Sequence, residues 1–498
     1  MADEARSPAD FPPAMLAETV IADAAGAARF MGDHEVSADG GRAASRLGQF
    51  SWALFEGARD PNVLFQIYVI SPFFATVMIR DPVRGQALWG DLVAWSGYLA
   101  AMLAPFLGAI ADKGGRRKPW LAVFTALLAV TFASPWLGMP DSTTGRIAIV
   151  SMMLVINNLV SDFAGIFQGA MLPSVAPHSR IGRLSGLASA LGSGSGLLLM
   201  VFFFIAFAAP GLIHASFLPD HPLFGVDRAS HEPERLSGPI SAIWLVALAM
   251  PLFLFTPDRA GTGLPLRRAA ADGIRAVIGT VRSLRHYRNV AHYIGARSIY
   301  NDGMTGVLTF SGIYAAGVFH LDSLQLTIYG MEMCVFATLG GFFGGWLDGK
   351  LGSKRALLVS IGGTALSFGL SLTMAPDRLF WFMPVDIHAA AVLPIPFLNT
   401  WPQIVFTMMT DLTALCIVAG YANSRTMMAR IAPVEKMTEF FGLMSLSGTA
   451  TAFLAPLLVA WMTAWTDSQR GGMTAVVLLL AIGWGWLFLV KEERATVV

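Results

Sequence analysis

Charged side chains stand inside long apolar runs of this sequence, where they could bind an ion or a charged solute. Glu56, Arg59 and Asp60 are spaced i, i+3 and i+4, so a helix would present all three on one face. A charge at mid-bilayer costs about 2.5–3.5 kcal/mol on insertion scales and is kept when it is paired or faces a cavity. The triplet therefore predicts either a polar cavity or internal ion pairs that only fix helix packing, and we favour the cavity.

Three other apolar runs carry comparable polar sets. They are Asn157, Asn158, Asp162 and Gln168; Arg297, Asn301 and Asp302; and Asp411, Asn423 and Arg425. In the cavity interpretation, an arginine among Arg59, Arg297 and Arg425 holds an anionic group. A carboxylate among Glu56, Asp60, Asp162, Asp302 and Asp411 then binds a cation or takes up a proton. Asp162 and Asp411 lie deepest in their runs, so we expect them to be the proton carriers.

The composition requires elements that cross a membrane. The chain has 498 residues, of which 55% are hydrophobic and 13% are charged, about half the charged share of a soluble protein. Mean hydropathy is +0.59. Long apolar blocks exclude a soluble enzyme, a coiled coil, a disordered regulator and an outer-membrane barrel of short alternating strands. A multi-span helical membrane protein is predicted.

Cofactors, metals and nucleic acid are not expected. The two cysteines, Cys334 and Cys416, lie within apolar runs, and the nine histidines form no metal-ligand pattern. The net charge of +1 by itself says nothing about nucleic acid, because the position of the charges decides, and no nucleic-acid partner is expected.

Twelve runs reach the roughly 20 residues that a membrane helix needs. They are 50–79, 86–111, 119–139, 146–170, 184–209, 239–256, 291–318, 324–347, 356–376, 403–431, 439–464 and 472–490. They form two groups of six, 50–256 and 291–490, joined by a basic linker, 257–290. Residues 1–49 and 491–498 are predicted to be tails, the first of them disordered because it is polar and rich in Ala, Pro and Asp.

The loops predict the orientation. Loops on the side of the N-terminus carry seventeen Lys and Arg against seven in the opposite loops. By the positive-inside rule both termini, the linker and both tails are cytoplasmic.

Two loops repeat at half the chain length. GAIADKGGRRK (108–118) follows the second span and GGWLDGKLGSKR (344–355) follows the eighth, with Asp112 and Asp348 236 positions apart. Two pseudo-symmetric halves around a binding site are typical of secondary transporters. The repeated loops predict a cytoplasmic gate, with Gly108 at a close helix contact and a weak charge latch, since exposed ion pairs contribute about 0–1 kcal/mol. Its residues would be Gly108, Asp112, Gly115, Arg116, Arg117, Asp348, Gly352, Lys354 and Arg355. The alternative is a plain loop that obeys the positive-inside rule.

Small residues in two spans predict close helix contacts. SGLASALGSGSG (185–196) includes Gly192 and Gly196, and GLMSLSGTA (442–450) lies in the eleventh span. Such residues let two helix backbones approach each other, and we expect them to pack the two rocking halves against each other.

The loop GxxxDxxGRR at 108–117 resembles the signature of the major facilitator superfamily. Further segments resemble its vacuole effluxer-like branch, named for a fungal autophagy-related amino-acid effluxer: SWALFEGARDP (51–61), LPSVAPHSRIGRLSGL (172–187), YNDG (300–303), SRTMMARIAP (424–433) and EFFGLMSLSGTATAFLAPLL (439–458). The resemblance implies an all-α fold of twelve transmembrane helices in two six-helix bundles. It also implies that helices one, four, seven and ten line a central path, which are the helices that carry the polar sets. Bacterial members of the branch imply the bacterial inner membrane.

Three functions remain open at this point. The first is a secondary active transporter that moves a small polar or zwitterionic solute, such as an amino acid, by alternating access coupled to protons. The second is a flippase for a lipid or lipid precursor on the same fold. The third, an integral-membrane transferase, is disfavoured because no nucleophile-and-base set occurs at one bilayer face. The expected partners are a small solute, membrane lipid and protons, and the chain is expected to be a monomer.

Overall fold

The fold is all-helical apart from one short hairpin. The computed structural model describes residues 36–492 except 114–115, 141, 178, 214–215, 217, 259–274, 276–277, 280–281, 283, 387–391, 393–399 and 434–436. Twelve long helices run through these residues: α1 Arg46–Met78, α2 Pro82–Lys113, α3 Lys118–Phe132, α4 Thr144–Val175, α5 Ile181–Ala208, α6 Glu232–Phe255, α7 Arg288–Phe319, α8 Ser323–Leu351, α9 Ser353–Ser371, α10 Trp401–Ile431, α11 Glu439–Thr466 and α12 Gln469–Leu487. Strands β1 Arg378–Leu379 and β2 Met383–Pro384 pair between α9 and α10.

Each of the twelve predicted spans coincides with one of these helices. Ten of the helices are long and apolar enough to cross a membrane; α7 and α9 carry more polar residues and fall short of that criterion. Two boundaries differ by seven residues: α3 ends at Phe132 and not near residue 139, and α6 begins at Glu232 and not near residue 239. The polar first turn of α6 hid its boundary, because Arg235 is buried there against Trp136 and donates to that residue's carbonyl at 2.9 Å.

Two helices are interrupted within the bundle. The α-helical part of α1 ends at Arg59, resumes at Pro61, and continues as two π-helical segments, Gln66–Ile70 and Phe73–Met78. Proline has no N–H to donate, and π segments are often found at functional sites. The helical run of α11 likewise breaks between Thr451 and Leu454. Interrupted helices near the middle of the membrane are typical of transporter binding sites.

In the first half, a carboxylate that follows α6 binds the N-terminus of α3. Asp258, which follows α6, accepts hydrogen bonds from the backbone N–H groups of Arg117 and Lys118 at 3.0 and 3.2 Å. Lys118 in turn donates from Nζ to the carbonyl of Phe253 at 2.9 Å. An acidic group favours a helix N-terminus because it meets unpaired N–H groups and the positive end of the helix dipole.

The second half repeats this arrangement. Glu492, which follows α12, accepts from the N–H groups of Ser353 and Lys354 at 2.9 and 3.2 Å. Lys354 donates from Nζ to the carbonyl of Phe488 at 3.1 Å. Lys118 and Lys354 are 236 positions apart, the same offset as the two predicted loops, so the half-length repeat is confirmed at the level of individual hydrogen bonds.

The end of the molecule that carries the α2–α3 and α8–α9 loops is called the basic face here, and the other end the opposite face.

Residues 36–44 pack on the basic face, where Ala38 and Ala44 donate backbone hydrogen bonds to Ala176 and Val175 at 3.0 Å each. The prediction of a disordered tail over 1–49 is therefore wrong for residues 36–49, and residues 1–35 lie outside the described ranges. Most of the predicted linker, 257–290, lies outside them too.

Candidate functional site

A cluster of charges joins α1 to α4 near the middle of the first half. Arg59 Nη2 lies 3.0 Å from Glu56 Oε1 and 3.6 Å from Asp60 Oδ1, and Arg59 Nη1 donates to the carbonyl of Ser161 at 2.9 Å. Asp162, the next residue on α4, is attracted electrostatically to the same guanidinium. Side-chain exposures of 27%, 15% and 33% for Glu56, Arg59 and Asp60 show that the cluster borders open space.

Two glycines make room for this cluster. A Cβ on Gly165 of α4 would lie 2.7 Å from Arg59 Nη1, and a Cβ on Gly192 of α5 would lie 2.3 Å from Asp60 Oδ2. A Cβ on Gly196 would meet Leu64 at 2.7 Å. The fifth span thus makes a close contact, but its partner is α1 of the same half, so the predicted packing of Gly192 and Gly196 between the two halves is wrong.

Two polar residues predicted on α4 hold helices together and do not line open space. Asn157 accepts a hydrogen bond from Gln66 Nε2 at 2.9 Å. Gln168 makes two hydrogen bonds with Trp52. Trp52 donates from Nε1 to the carbonyl of Gln168 at 2.9 Å, and Gln168 donates from Nε2 to the carbonyl of Trp52 at 3.3 Å. Both are buried, whereas Asn158 is partly exposed.

The two predicted arginines of the second half lie on α7 and α10. Arg297 of α7 is partly exposed and donates from Nη1 to the carbonyl of Met444 on α11 at 2.9 Å, while its Nε has no partner among the described residues. A Cβ on Gly448 would lie 3.5 Å from Arg297 and 3.6 Å from Asn301, so this small residue of α11 packs on α7. Arg425 of α10 is exposed.

Asp302 of α7 occupies a different environment from Asp60 of α1. It is 1% exposed, and its Oδ2 accepts from the N–H of Ala455 at 2.6 Å. Ala455 stands at the start of the second segment of α11, so Asp302 caps that helix. The predicted role of Asp302 in binding a cation or proton at the cavity is not supported by this burial.

Asp411 is also away from the open space, beside an acidic residue that the sequence did not single out. It is 7% exposed, and its carboxyl group is within hydrogen-bonding reach of the carboxyl group of Glu332 on α8. The sequence interpretation did not include Glu332 because the residue lies outside the four helices expected to line the path. Its position as the lone charge in an apolar run was the available signal.

The two halves meet toward the opposite face. Gln86 of α2 donates to Thr463 Oγ1 and to the carbonyl of Gln469, at 2.9 and 3.0 Å. Gln469 donates back to the carbonyl of Pro82 at 3.1 Å. These polar contacts form a clasp that joins the start of α2 to the end of α11 and the start of α12.

The contact continues to about the middle of the spans. A Cβ on Gly90 would lie 2.8 Å from the carbonyl of Pro456, and the rings of Tyr98 and Phe453 meet edge to face at 5.9 Å. Counted along their helices, Arg59, Arg297 and Arg425 lie on the basic-face side of these contacts or level with them.

The contacts described for the first predicted gate loop lie within the first half. Arg117 is 4% exposed and donates from Nε to the carbonyl of Ala111 at 2.7 Å, and Arg116 is exposed. A Cβ on Gly108 would meet no atom within 4 Å, so the predicted close helix contact at Gly108 is wrong. The side chain of Asp112 and all of Gly115 lie outside the described parts of the chain.

The second loop forms a charge network inside one half. Asp348 pairs with Arg430 of α10 at 3.0 Å, and Arg430 also reaches Glu492 at 2.7 Å. Gly352 has φ of +80°, which ends α8 so that α9 can begin at once. Lys354 makes the contacts with Glu492 and Phe488 described above, and Arg355 is exposed. These contacts join α8, α9, α10 and the chain after α12, all in the second half.

Within the ranges that the structure describes, no group of three His, Cys, Asp or Glu side chains is arranged to hold a metal ion.

Comparison with known proteins gives one family. The model of the family described as "Vacuole effluxer Atg22 like" matches residues 92–497. The chain is 24% identical to an MFS-type transporter, YxiO of Bacillus subtilis, over 458 residues that cover 90% of this chain and 95% of that protein. It is 20% identical to autophagy-related protein 22 of Yarrowia lipolytica over 286 residues, 52% of this chain and 45% of that protein.

Solved structures give the same fold. A bacterial homologue of the human lysosomal transporter Spinster, in an inward-facing conformation, has a TM-score of 0.61 at 15% identity and covers 89% of this chain and 96% of its own. A D-xylose–proton symporter has a TM-score of 0.62 at 14% identity, with 90% and 98% covered. At such identities the likeness shows the major facilitator fold alone.

Proposed function

We propose, since the chain belongs to the Atg22-like vacuole effluxer family and is an MFS-type secondary transporter and not an enzyme, that its solute is a small zwitterion such as an amino acid. Protons drive the movement in this proposal. The integral-membrane transferase named above as the third alternative is thereby set aside.

The observation that carries the proposal is the unequal charge of the two cavity walls. The first half presents three carboxylates, Glu56, Asp60 and Asp162, around one guanidinium. The second half presents Arg297 and Arg425, while its aspartates are buried elsewhere. A solute with an ammonium and a carboxylate complements both walls at once, because each end meets opposite charge in a partly dry site.

The closure toward the opposite face supports alternating access. The clasp of Gln86 and Gln469 and the close contact of α2 with α11 join the halves toward the opposite face. We infer that a charged hollow between the halves opens at the basic face. Rocking one half against the other would exchange these openings. The excess of Lys and Arg makes the basic face cytoplasmic, so the state is inward-open, in a monomer of the bacterial inner membrane.

A thermal-shift screen of the purified protein tests the solute class, because a ligand stabilises the state that it binds. The panel contains amino acids, each with its N-acetyl derivative and its amide, together with peptides, sugars and phospholipids. We expect a zwitterionic amino acid to raise the melting temperature, and both of its blocked derivatives to fail.

Variants assign the effect to the walls. Arg297→Gln and Arg425→Gln should abolish the shift, while Arg84→Gln, an exposed arginine at the start of α2, should keep it. Stabilisation by the amide alone or by a sugar would contradict a zwitterionic solute. Stabilisation by a phospholipid would favour the flippase alternative.

A further inference from the structure

A pair of carboxyl groups lies in the second half, apart from the charged cluster of α1 and α4. Glu332 of α8 and Asp411 of α10 are within hydrogen-bonding reach of each other. Asp411 is 7% exposed and Glu332 is partly buried. Among the described residues, neither carboxylate has a Lys, Arg or His within 4 Å. The pair therefore lacks the counter-charge that a buried carboxylate normally requires.

Three polar atoms around the pair have no hydrogen-bond partner in the part of the chain that the structure describes. They are Oδ1 of Asp411, Oε2 of Glu332 and the hydroxyl of Tyr329. Tyr329 is 3% exposed and interacts electrostatically with both carboxyl groups. Buried polar groups are almost always satisfied, so three unsatisfied atoms at one place indicate a site that a ligand completes.

The chemistry of the pair selects the ligand. Ionised carboxylates only accept hydrogen bonds, so two of them can bond to each other only when one carries a proton. The described residues supply no third His, Cys, Asp or Glu to complete a metal site here. A proton on one oxygen would satisfy the other carboxylate and remove one of two adjoining negative charges.

A narrow cleft leads to the pair. It reaches Glu332 and Tyr329 from Gln325 and Gln403, which stand in the first turns of α8 and α10. Those turns lie at the opposite face. Water in this cleft would connect the pair to the solvent on that side while the main hollow is closed to it.

The pair also adjoins the contact between the halves. The ring of Tyr329 meets the ring of Tyr68 on α1 edge to face at 5.8 Å, and Phe406 of α10 lies between Tyr329 and Tyr314 of α7. Among the described residues, Tyr329 interacts electrostatically with both carboxyl groups, and Tyr68 of α1 and Tyr314 of α7 lie one ring further away. A change of charge at the pair therefore acts where the first half touches α8.

We propose that Glu332 and Asp411, with Tyr329, form the proton-binding site of the transport cycle, loaded from the opposite face. The inference rests on the proposed proton coupling and gives it a location. Loading forms one O–H bond at a carboxylate oxygen and neutralises one charge, with the proton drawn from water in the cleft. The loaded pair favours closure of the opposite face, and loss of the proton leaves two repelling carboxylates that favour opening and hydration.

Infrared difference spectroscopy during a pH titration tests the site with the proton itself as the probe. The protein is held in lipid nanodiscs, and the C=O stretch of protonated carboxyl groups is followed. We expect wild type to show one such band that disappears on alkaline titration. Asp411→Asn and Glu332→Gln should each lose it completely, because the proton is shared by the pair. The control Asp91→Asn, an exposed acidic residue of α2, should keep it.

Three outcomes would overturn the proposal. One is a band that persists unchanged in both variants. Another is suppression of the wild-type band when sodium replaces choline in the buffer, which would make the site a sodium site. The third is loss of the band in Asp411→Glu, which keeps both carboxyl groups, when its melting temperature shows that the variant is folded. That conservative variant also covers the case in which Asp411→Asn does not fold.

The titration needs no solute, so it separates this proposal from the proposed function. A titrating pair combined with failure of every zwitterion in the thermal-shift panel would refute the solute class alone. A zwitterion that binds equally well to wild type and Asp411→Asn, with no titrating pair in wild type, would refute the proton site alone.

Discussion

At the scale of single residues, the position of Arg59 depends on the absence of a side chain at Gly165. The guanidinium occupies the space where a Cβ would stand, 2.7 Å away, and this brings it to the carbonyl of Ser161. Because Arg59 organises Glu56 and Asp60, the geometry of the acidic wall depends on this one glycine.

Gly165→Ala should therefore displace Arg59 and weaken solute stabilisation at least tenfold, while the protein still folds because the tip of a long side chain can move. Gly169→Ala is the matched control, four residues further along α4, where a Cβ would meet nothing within 4 Å. Affinity is measured by thermal-shift titration with the solute found in the panel. Equal affinities for the two variants would show that the seat of Arg59 does not matter.

A histidine outside the spans gives a pH dependence. The hydrogen bond between His231 Nδ1 and Glu234 Oε1, at 3.4 Å, raises the pKa of His231 above its ordinary value of 6.5, although partial burial opposes the shift. Because the pKa in the folded state is raised, the pair stabilises the fold fully below the pKa of the unfolded chain. That contribution is lost as the pH rises through the folded pKa.

The melting temperature should accordingly fall by a few degrees at most as the pH is raised from 5 to 8, since a partly exposed pair contributes about 0–1 kcal/mol. His231→Asn should reduce this fall, and Glu234→Gln should reduce it equally. Asparagine is suitable because His231 has a φ of +53°, and Asn tolerates this left-handed conformation. An unchanged pH profile in both variants would exclude His231 as a contributor.

Individual site residues were only partly predictable from sequence. The i, i+3, i+4 spacing of Glu56, Arg59 and Asp60 was enough to predict one charged face. The same reasoning could not separate Asp60 from Asp302, because capping of Ala455 depends on where α11 breaks in three dimensions. Nor could it pair Glu332 with Asp411, since nothing local relates α8 to α10.

At the scale of helices, the contact of α5 with α1 depends on small residues along one face. Gly192 and Gly196 face α1, where a Cβ would meet Asp60 and Leu64, whereas Gly194 between them faces open space. The stripe thus has a packed side and a free side two residues apart.

Gly192→Ala should lower stability by about 1–3 kcal/mol, the usual cost of overpacking a close contact. Gly194→Ala should leave it nearly unchanged, since the added methyl meets nothing within 4 Å. Thermal unfolding in detergent compares the two variants. Equal loss in both would mean that glycine content, and not the contact with α1, sets the stability of α5.

Helix positions were predicted well because bilayer-length apolar runs are a local property of the sequence. Local sequence signals did not predict the first turn of α6, because Arg235 is buried there against Trp136 although it is charged. They failed again at Gly108, whose place in a loop motif predicted a packed contact that the helix does not make.

At the scale of the whole molecule, the halves share a frame and differ in charge. Asp258 and Glu492 pin α3 and α9 in the same way, as the half-length repeat predicted. The two walls of the proposed cavity depart from that symmetry, since carboxylates dominate one of them and arginines the other. A symmetric frame allows the halves to rock, and unequal walls allow them to hold the two ends of one solute.

The central claim is that these walls share one water-filled hollow that opens at the basic face. Cysteines placed singly at Asn158 and Asn301, one on each wall, test it in a background without Cys334 and Cys416. A hydrophilic thiol reagent is applied from each side of oriented membranes, with Leu127→Cys as an outward-facing control. Both wall positions should react from the basic face, and the control should react only with a lipid-soluble reagent. If either wall position behaves like the control, or if the two react from different sides, there is no common hollow and the account is wrong.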